Sequence, residues 1–238
     1  MTQTLAPQEP SPVEADPRLQ LLHAALPHVV FLGWSEATFT AAVAETQMDP
    51  ALARGLYPRG GLDLLVAFHQ HGDRQMQQRL AAQQLDSMRF RDRVAHALWL
   101  RLEIFENREY VRRGMCLLSL PPYAALGSRL VWGTASAIWD ALGDRSDDVN
   151  WYTKRATLSA VYAATVVFWL GDNSEGCSET RAFLDRRIEG VMRIGATRAR
   201  FEKSLAGRAM AGPLSVLLRR VRAPQAGSDF PGRWRFGR

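Results

Sequence analysis

Apolar side chains recur at helical spacing over most of the chain, and no segment shows the two-residue alternation of a half-buried strand. Residue types that favour helix starts interrupt this pattern at Asp16-Pro17, Ser35, Asp49-Pro50, Gly60-Gly61 and Asp148. The spacing predicts nine or ten helices, joined mostly by short loops. We therefore expect an all-α fold, because helices with apolar stripes bury those stripes against one another.

Composition divides the chain into four parts. Residues 1–16 are rich in Pro, Gln and Glu, which is typical of a disordered leader. Residues 17–195 form the predicted helical domain, residues 196–222 an amphipathic helix, and residues 223–238 a basic disordered tail. The leader contains acidic residues and no basic residue, which argues against a signal peptide. No run of about 18 uncharged apolar residues exists, so no membrane span is predicted.

The first helices of the domain, within residues 17–60, resemble a helix-turn-helix. The helix that begins at Pro17 is expected to stop at Pro27, and two short helices follow Ser35 and Asp49. A helix that reads DNA presents basic and amide side chains to the bases and phosphates. The second short helix offers only Arg54, so we interpret this motif as vestigial and expect no nucleic-acid partner.

The positive charge of the chain is concentrated at its C-terminal end. Residues 197–238 carry ten basic and two acidic residues, a net +8, so the other residues carry −2 of the overall +6. An apolar stripe runs through the same segment, which is the pattern of a helix that binds a membrane surface. The predicted membrane-binding residues are Phe201, Leu205, Leu214, Leu217, Leu218, Arg219 and Arg220. The alternative is a helix that packs its apolar face on the domain or on a partner.

The sequence lacks the common motifs of catalytic, metal and phosphate-binding sites. None of the five histidines belongs to a Glu-x-x-His pair of the kind that binds di-iron centres, and the two cysteines match no zinc or redox motif. Phosphate-binding and nucleophile-elbow motifs are also missing. We therefore expect a binding protein that is not an enzyme, without a metal or cofactor. Many wide aromatic side chains in the central helices can fill a core or line a cavity for a ligand.

The long helix predicted after Asp148 begins with an unusual group of side chains. Trp151 and Tyr152 are adjacent, and Arg155 follows one turn later on the same side of the helix. Such a group is typical of an interaction hot spot. On the residues alone, a core position for Trp151 with Arg155 extending to solvent is the slightly preferred interpretation.

These residues also belong to a longer resemblance. The chain from Gly33-Trp34 to Gly195 resembles the TetR-like, lipid-binding accessory proteins of ubiquinone biosynthesis, the ninth Coq protein of mitochondria, which have relatives in alphaproteobacteria. The motifs that carry the resemblance are Asp148-Val149-Asn150-Trp151-Tyr152-Thr153-Lys154-Arg155, Gly171-Asp172-Asn173-Ser174, Phe183-Leu184-Asp185-Arg186-Arg187-Ile188 with Met192, and more weakly Leu118-Ser119-Leu120-Pro121.

The resemblance implies a TetR-repressor-like bundle that forms homodimers and holds an isoprenoid or a phospholipid in an apolar pocket. Bound lipid or quinone is expected in place of a cofactor. To this pocket, within residues 61–195, we assign Trp99, Leu102, Leu130, Trp132, Trp139, Tyr162 and Phe168. The family presents quinone intermediates to the hydroxylase that acts on demethoxyubiquinone. The surface patch for that enzyme maps onto Trp151, Tyr152 and Arg155, with Asp148 and Asn150 beside them.

Two further expectations follow from this comparison. The acidic N-terminal segment differs from the mitochondrial members, which favours a bacterial protein located in the cytoplasm and peripherally on the inner membrane. The alternative function is a TetR-type, ligand-responsive transcription regulator, which would bind specific DNA with a steep salt dependence.

Overall fold

The structure, a computed structural model, describes residues 16–203. Over this range the regular structure consists of nine α-helices and one short 3-10 helix, with no strand. The helices are α1 (Pro17–Leu32), α2 (Glu36–Thr46), α3 (Pro50–Leu56), α4 (Gly61–Ala81), α5 (Phe90–Glu103), α6 (Arg108–Leu118), α7 (Ala124–Ala141), α8 (Val149–Gly171) and α9 (Ser178–Lys203), with the 3-10 turn at Glu175–Cys177 before α9. The all-α prediction is confirmed.

The predicted helix starts are confirmed by their capping hydrogen bonds. Asp16 accepts from the backbone N–H of Arg18, and Ser35 accepts from the N–H of Thr38. Asp49 and Asp148 cap α3 and α8 in the same way. Each cap satisfies a backbone donor that the first turn of a helix leaves without a partner, so these residues fix where the helices begin.

The predicted end of α1 is wrong. The helix continues past Pro27 to Leu32 and ends at Gly33, which has a φ of 66°. Pro27 lies on the exposed side of α1, whereas Ala25 and Val29 are completely buried where α1 packs against α2. Burial of the turn after Pro27 outweighs the backbone hydrogen bond that the proline removes, because tertiary packing supplies most of the stability of a helix in a protein.

Two other helix ends also differ from the prediction. The apolar spacing after Gly60-Gly61 predicts a helix to about Leu85, but α4 ends at Ala81. The last helix of the domain is predicted to end at Gly195, but α9 continues to Lys203. A single glycine costs a helix about 1 kcal/mol, which does not end a helix as long as α9.

The helices form two compact units. The first comprises residues 16–84 and 97–134 of the described chain, and it contains α1 to α4 and α6. A hydrophobic core of this unit is built from the residues of α1 to α4 and the turns between them. Core members are Leu21, Leu22, Ala25, Val29, Trp34, Phe39, Ala42, Val43, Ala53, Tyr57, Leu64 and Leu65. Trp34 also donates its indole N–H to the carbonyl oxygen of Tyr110 at 2.9 Å, which joins this core to α6.

The second unit comprises residues 85–96 and 135–203 of the described chain and contains α8 and α9. Its buried apolar side chains include Trp139, Leu158, Val161, Tyr162, Val166, Trp169, Leu184 and Ile188. Asp172 connects the end of α8 to the start of α9, because its carboxylate accepts from the N–H and hydroxyl of both Ser174 and Thr180. These hydrogen bonds hold the pKa of Asp172 far below its usual range.

No helix within residues 16–203 is both long enough and apolar enough to cross a lipid bilayer.

Candidate functional site

The first turn of α8 presents its predicted site residues from a capped start. Asp148 accepts hydrogen bonds from the backbone N–H of Asn150 at 2.8 Å and from its side-chain amide at 2.9 Å. Both side chains are exposed. The cap fixes the direction in which the following aromatic residues leave the helix.

Trp151 and Tyr152 form an aromatic pair at this helix start. Their ring centroids lie 4.8 Å apart, with an angle of 75° between the planes, which is a favourable edge-to-face contact. Tyr152 is 36% exposed and Trp151 is half-buried. The preference for a core position of Trp151, based on the residues alone, is therefore not supported, since the ring keeps part of its surface in solvent.

Arg155 is buried beneath this pair, which corrects its placement in a surface patch. Only 2% of its surface is exposed, and its guanidinium carbon lies 4.0 Å from the centre of the Trp151 ring. Its terminal nitrogens donate to Asp140 at 2.8 Å and to Asp144 at 3.2 Å. Arg155 therefore supports the ring of Trp151 from below, by a cation–π contact and two ion pairs.

Asp144 is the centre of the ion pairs under the aromatic pair. Its side chain is 4% exposed and accepts from Lys154 at 2.7 Å and from the Ser146 hydroxyl at 2.8 Å, in addition to Arg155. Burial alone raises the pKa of this carboxyl group, but the hydrogen bonds from Lys154 and Ser146 outweigh burial and lower it. The network fastens the loop between α7 and α8 to the first turns of α8.

Sequence reasoning did not identify Asp140, Asp144 or Lys154 as part of the site. The available signal was the pairing of two acidic residues, at the end of α7 and in the next loop, with two adjacent cations in α8. The separation of 11 and 15 residues between these acids and Arg155 hides the contact, because only residues three or four apart are neighbours on one helix.

The predicted lipid-binding residues are divided between the two units. Leu102 and Leu130 are buried in the first unit, where Trp99 and Trp132 are half-buried and the Trp99 indole donates to Glu103. In the second unit, Tyr162 is buried, Trp139 stacks on Phe90 with centroids 5.8 Å apart, and Phe168 stacks on Phe183 at 4.5 Å. Binding of lipid by these side chains stays a prediction.

Most of the predicted membrane-binding residues lie outside the described chain. These are Leu205, Leu214, Leu217, Leu218, Arg219 and Arg220. Phe201 lies in the last described turn of α9, and its side chain is not described.

Known sequences resemble this chain in the region that contains residues 148–155, which we call the head of α8. Residues 124–195 match the COQ9 family model. The ubiquinone biosynthesis protein COQ9-A of Xenopus laevis is 30% identical over 201 residues, which cover 80% of this chain and 63% of that protein. The human COQ9 protein is 26% identical over 203 residues, covering 80% of this chain and 63% of its own length. The chain thus spans less than two thirds of these relatives.

Comparison with solved structures concerns the fold. A TetR transcriptional regulator from Nitrosomonas europaea superposes with a TM-score of 0.61 at 19% identity, over 73% of this chain and 97% of that one. At this level of identity the likeness establishes a TetR-like arrangement of helices and leaves function open. The matches with the COQ9 family model and with these COQ9 proteins show a resemblance to the COQ9 family, and the solved structure shows a TetR-like fold.

Proposed function

We propose that this protein is a non-enzymatic accessory factor of ubiquinone biosynthesis. In this proposal it binds isoprenoid quinone intermediates or phospholipid and presents them to a demethoxyubiquinone hydroxylase at a membrane. The observation that carries the proposal is the head of α8, which lies inside the region that matches COQ9. There the aromatic pair of Trp151 and Tyr152 lies over the buried ion pair of Arg155 with Asp144.

The head of α8 suits a protein partner for two physical reasons. Trp and Tyr supply large contact areas with few rotatable bonds, which is why they are enriched at binding hot spots. The stacking of Arg155 against Trp151 also holds that ring in place before a partner arrives, so less conformational entropy is lost on binding. Asp148 and Asn150 are exposed next to the aromatic pair and supply polar groups at the rim of the contact.

The proposed function also includes lipid binding, attachment to a membrane surface and formation of a homodimer. The seven residues assigned to the pocket provide apolar surface for an isoprenoid or acyl chain, and the basic C-terminal segment provides attraction to anionic lipid. We place the protein peripherally on a bacterial inner membrane, as a homodimer. The hydroxylase supplies the chemistry in this scheme, and the accessory protein supplies binding and orientation.

Native mass spectrometry after gentle purification tests the lipid-binding part of the proposal. We expect masses of a dimer that carries quinone or phospholipid, with the lipid identified after extraction. Lipid-free protein from cells that contain ubiquinone would contradict it.

A TetR-type transcription regulator is the second candidate, and the fold is the observation that favours it. The residues of α3 favour it less. Arg54 is paired with Glu36 and lies 4.3 Å over the ring of Phe39, so its charge is directed towards α2. Titration of random-sequence and genomic DNA at low and physiological salt separates the two functions, because a regulator retains tight, sequence-specific binding at physiological salt.

A further inference from the structure

A groove lies within the first unit between α1, α4 and the junction of α5 with α6, and it encloses about 370 Å³. His23, Pro27 and Glu106 contribute to its lining and are exposed, so the groove is open to solvent along its rim. None of the residues assigned above to lipid, partner or membrane lines it. The groove is therefore distinct from the sites of the proposed function.

Aromatic rings make up part of the groove lining. The ring of Phe68 in α4 lies 5.7 Å from that of Phe105 and 6.0 Å from that of Tyr110, in the second case edge to face. Leu22 and Leu26 of α1 add aliphatic surface. Aromatic-lined grooves bind proline-rich peptides, because the polyproline II helix is already extended before it binds and so loses little entropy.

The leader of this chain, residues 1–16, contains a segment of that kind. Pro7 and Pro10 are three residues apart, so they lie on the same edge of a polyproline II helix, which has three residues per turn. Pro12 follows, and Leu5 and Val13 flank the prolines as apolar side chains. Residues 1–15 lie outside the described range, and their composition is typical of a segment that orders only when it binds a surface.

The leader is attached close to the groove. It joins α1 at Asp16, and the rise of about 1.5 Å per residue puts the level of Pro27 about 15 Å along the helix. A polyproline II segment spans that distance in about five residues, at about 3.1 Å each. If the chain reverses at residues 14 and 15, residues 5–13 are long enough to pass Leu22 and Leu26 and reach the end of the groove.

A cation lies at the end of the groove where the leader begins. Arg74 of α4 is exposed, and its charge and that of Asp16 both act on His71 in the lining. Burial, followed by Arg74, holds the pKa of His71 below its ordinary value, whereas Asp16 acts in the opposite direction. The leader carries Glu9, Glu14 and Asp16 and no basic residue, so its half nearest to α1 is attracted to Arg74.

The far end of the groove carries an anion instead. The carbonyl oxygen of Tyr110 accepts from the indole of Trp34, which comes just after the last turn of α1. Burial, followed by the charge of Glu106, raises the pKa of Tyr110, so Glu106 lies near this end. Residues 2–8 contain no charged side chain, so the part of the leader that reaches Glu106 is not repelled by it.

Polar side chains in the lining suit the backbone of such a segment. A polyproline II helix has no internal hydrogen bonds, so its carbonyl oxygens need donors. His23 and His71 supply donors, together with Gln75, whose side-chain nitrogen lies 3.0 Å from Nε2 of His71. From the aromatic lining, the length of the leader and the order of the charges, we propose that residues 5–13 dock in this groove, along α1 of the same chain, as a polyproline II segment.

Docking within one chain does not require a high intrinsic affinity. A short tether keeps the leader at an effective concentration on the order of mM beside the groove. The docked segment covers the aromatic lining, and it thereby closes the groove to proline-rich segments of other proteins. The leader thus acts as a built-in occupant of this surface.

Fluorine magnetic resonance of the full chain tests this proposal. A trifluoromethyl label is attached at Gln8→Cys, after Cys116→Ser and Cys177→Ser have removed the two natural thiols. A docked leader tumbles with the helical domain, so we expect a broad signal, whereas a free chain end moves faster and gives a narrow one. A narrow signal from this chain would overturn the proposal.

Two pairs of substitutions in the leader identify the segment that docks. Pro7→Gly together with Pro10→Gly keeps length and charge but removes the preformed extension, so the signal should narrow several-fold. Thr2→Gly together with Thr4→Gly, outside the segment, should leave the signal broad. Neither pair changes a residue of the described helices. An equally broad signal after the proline changes would refute docking through residues 5–13.

Substitutions in the domain identify the surface. Leu26→Trp fills the groove and should narrow the signal, whereas Leu52→Trp, on the exposed surface of α3 in the same unit, should leave it broad. An unchanged signal from a folded Leu26→Trp chain would assign the leader to another surface and refute the groove. The proline pair decides the question if that variant does not fold.

A mixing experiment excludes exchange of leaders between two copies. The labelled Leu26→Trp chain, whose own groove is filled, is mixed with an unlabelled chain that carries Pro7→Gly and Pro10→Gly and therefore has an open groove. We expect the signal to stay narrow. Return of the broad signal would show that the leader docks on a second copy, which would overturn docking within one chain.

Discussion

Two arginines, Arg101 and Arg155, are among the largest completely buried side chains of this protein. The buried charge of each is compensated by the same kinds of contact, although the two arginines belong to different units. Arg101 pairs with Asp73 and lies 4.4 Å over the ring of Phe105, and Arg155 pairs with Asp144 and lies 4.0 Å over Trp151. A carboxylate and an aromatic face together replace the water that a guanidinium loses on burial.

Removal of one member of such a pair leaves the other charge buried. Arg155→Met should lower the free energy of unfolding by about 3 kcal/mol, because Asp144 loses its buried partner. The matched control is Lys154→Met, whose side chain is 38% exposed, and it should cost about 1 kcal/mol or less. Urea denaturation of the two variants measures both values. Equal losses would mean that the burial of Arg155 does not matter for stability.

The second prediction at the scale of residues concerns pH. Burial, with a further contribution from Arg101, lowers the pKa of His69 to about 4. Between that value and the ordinary pKa of about 6.5, the unfolded chain binds more protons than the folded protein, so stability falls as the pH falls. The shift corresponds to about 3 kcal/mol, which the partial exposure of the ring reduces to about 2 kcal/mol.

Comparison with a variant isolates this contribution. His69→Gln removes the titrating group, so its free energy of unfolding should change less between pH 7 and pH 4 than that of the natural protein, by about 2 kcal/mol. Denaturant titrations at a series of pH values measure the difference. Identical pH profiles would rule out His69 as the source.

At the scale of helices, the starts were predictable and the ends were not. A start depends on one local side chain, as at Ser35 and Asp148, and a single sequence displays it. The end of α1 depends on the burial of Val29 against another helix, which no local signal reveals. The contact of Arg155 with the ring of Trp151 was unpredictable for the same reason. Asp140 and Asp144 reach Arg155 only after α7, the loop and α8 have folded together.

Two helical glycines provide a matched test of packing. Gly72→Ala should destabilise the protein by about 1–3 kcal/mol, because the new methyl group would lie 2.7 Å from Arg101, which its bonds to Asp73 and His69 hold in place. Gly133→Ala in α7 should stabilise it by about 0.5–1 kcal/mol, since no side chain or neighbouring helix of the described residues lies within 4 Å of the added group. Thermal unfolding of both variants checks the opposite signs. Shifts of the same sign would contradict the assignment of Gly72 as a close-contact position.

At the scale of the whole molecule, a TetR-like fold is combined with a site in its C-terminal part. The fold class and the resemblance to COQ9 proteins were predictable from the sequence, because helical spacing and a run such as Asn150-Trp151-Tyr152 can be recognised in a single sequence. The buried ion pair of Arg101 with Asp73 in the first unit was not predictable, since the two residues lie 28 positions apart on different helices. Fold alone does not decide between a regulator and an accessory protein, which is why the site carries the proposal.

The C-terminal segment is expected to connect the molecule to the membrane. Deletion of residues 197–238 removes a net charge of +8, so the truncated protein should lose most of its binding to anionic vesicles and less of its binding to neutral ones. Vesicle flotation with both lipid compositions measures this, and circular dichroism verifies that the domain remains folded. Equal flotation of the full and truncated chains would assign membrane binding to another surface.

The central claim is that the head of α8 connects this protein to ubiquinone synthesis. The most direct measurement is the ubiquinone content of cells that lack the natural chain and express Trp151→Lys, with Leu52→Lys as a control at an exposed apolar position outside the site. We predict that Trp151→Lys restores markedly less ubiquinone than the natural chain at equal protein level and equal melting temperature, and that Leu52→Lys restores it fully. Full restoration by Trp151→Lys would contradict the claim.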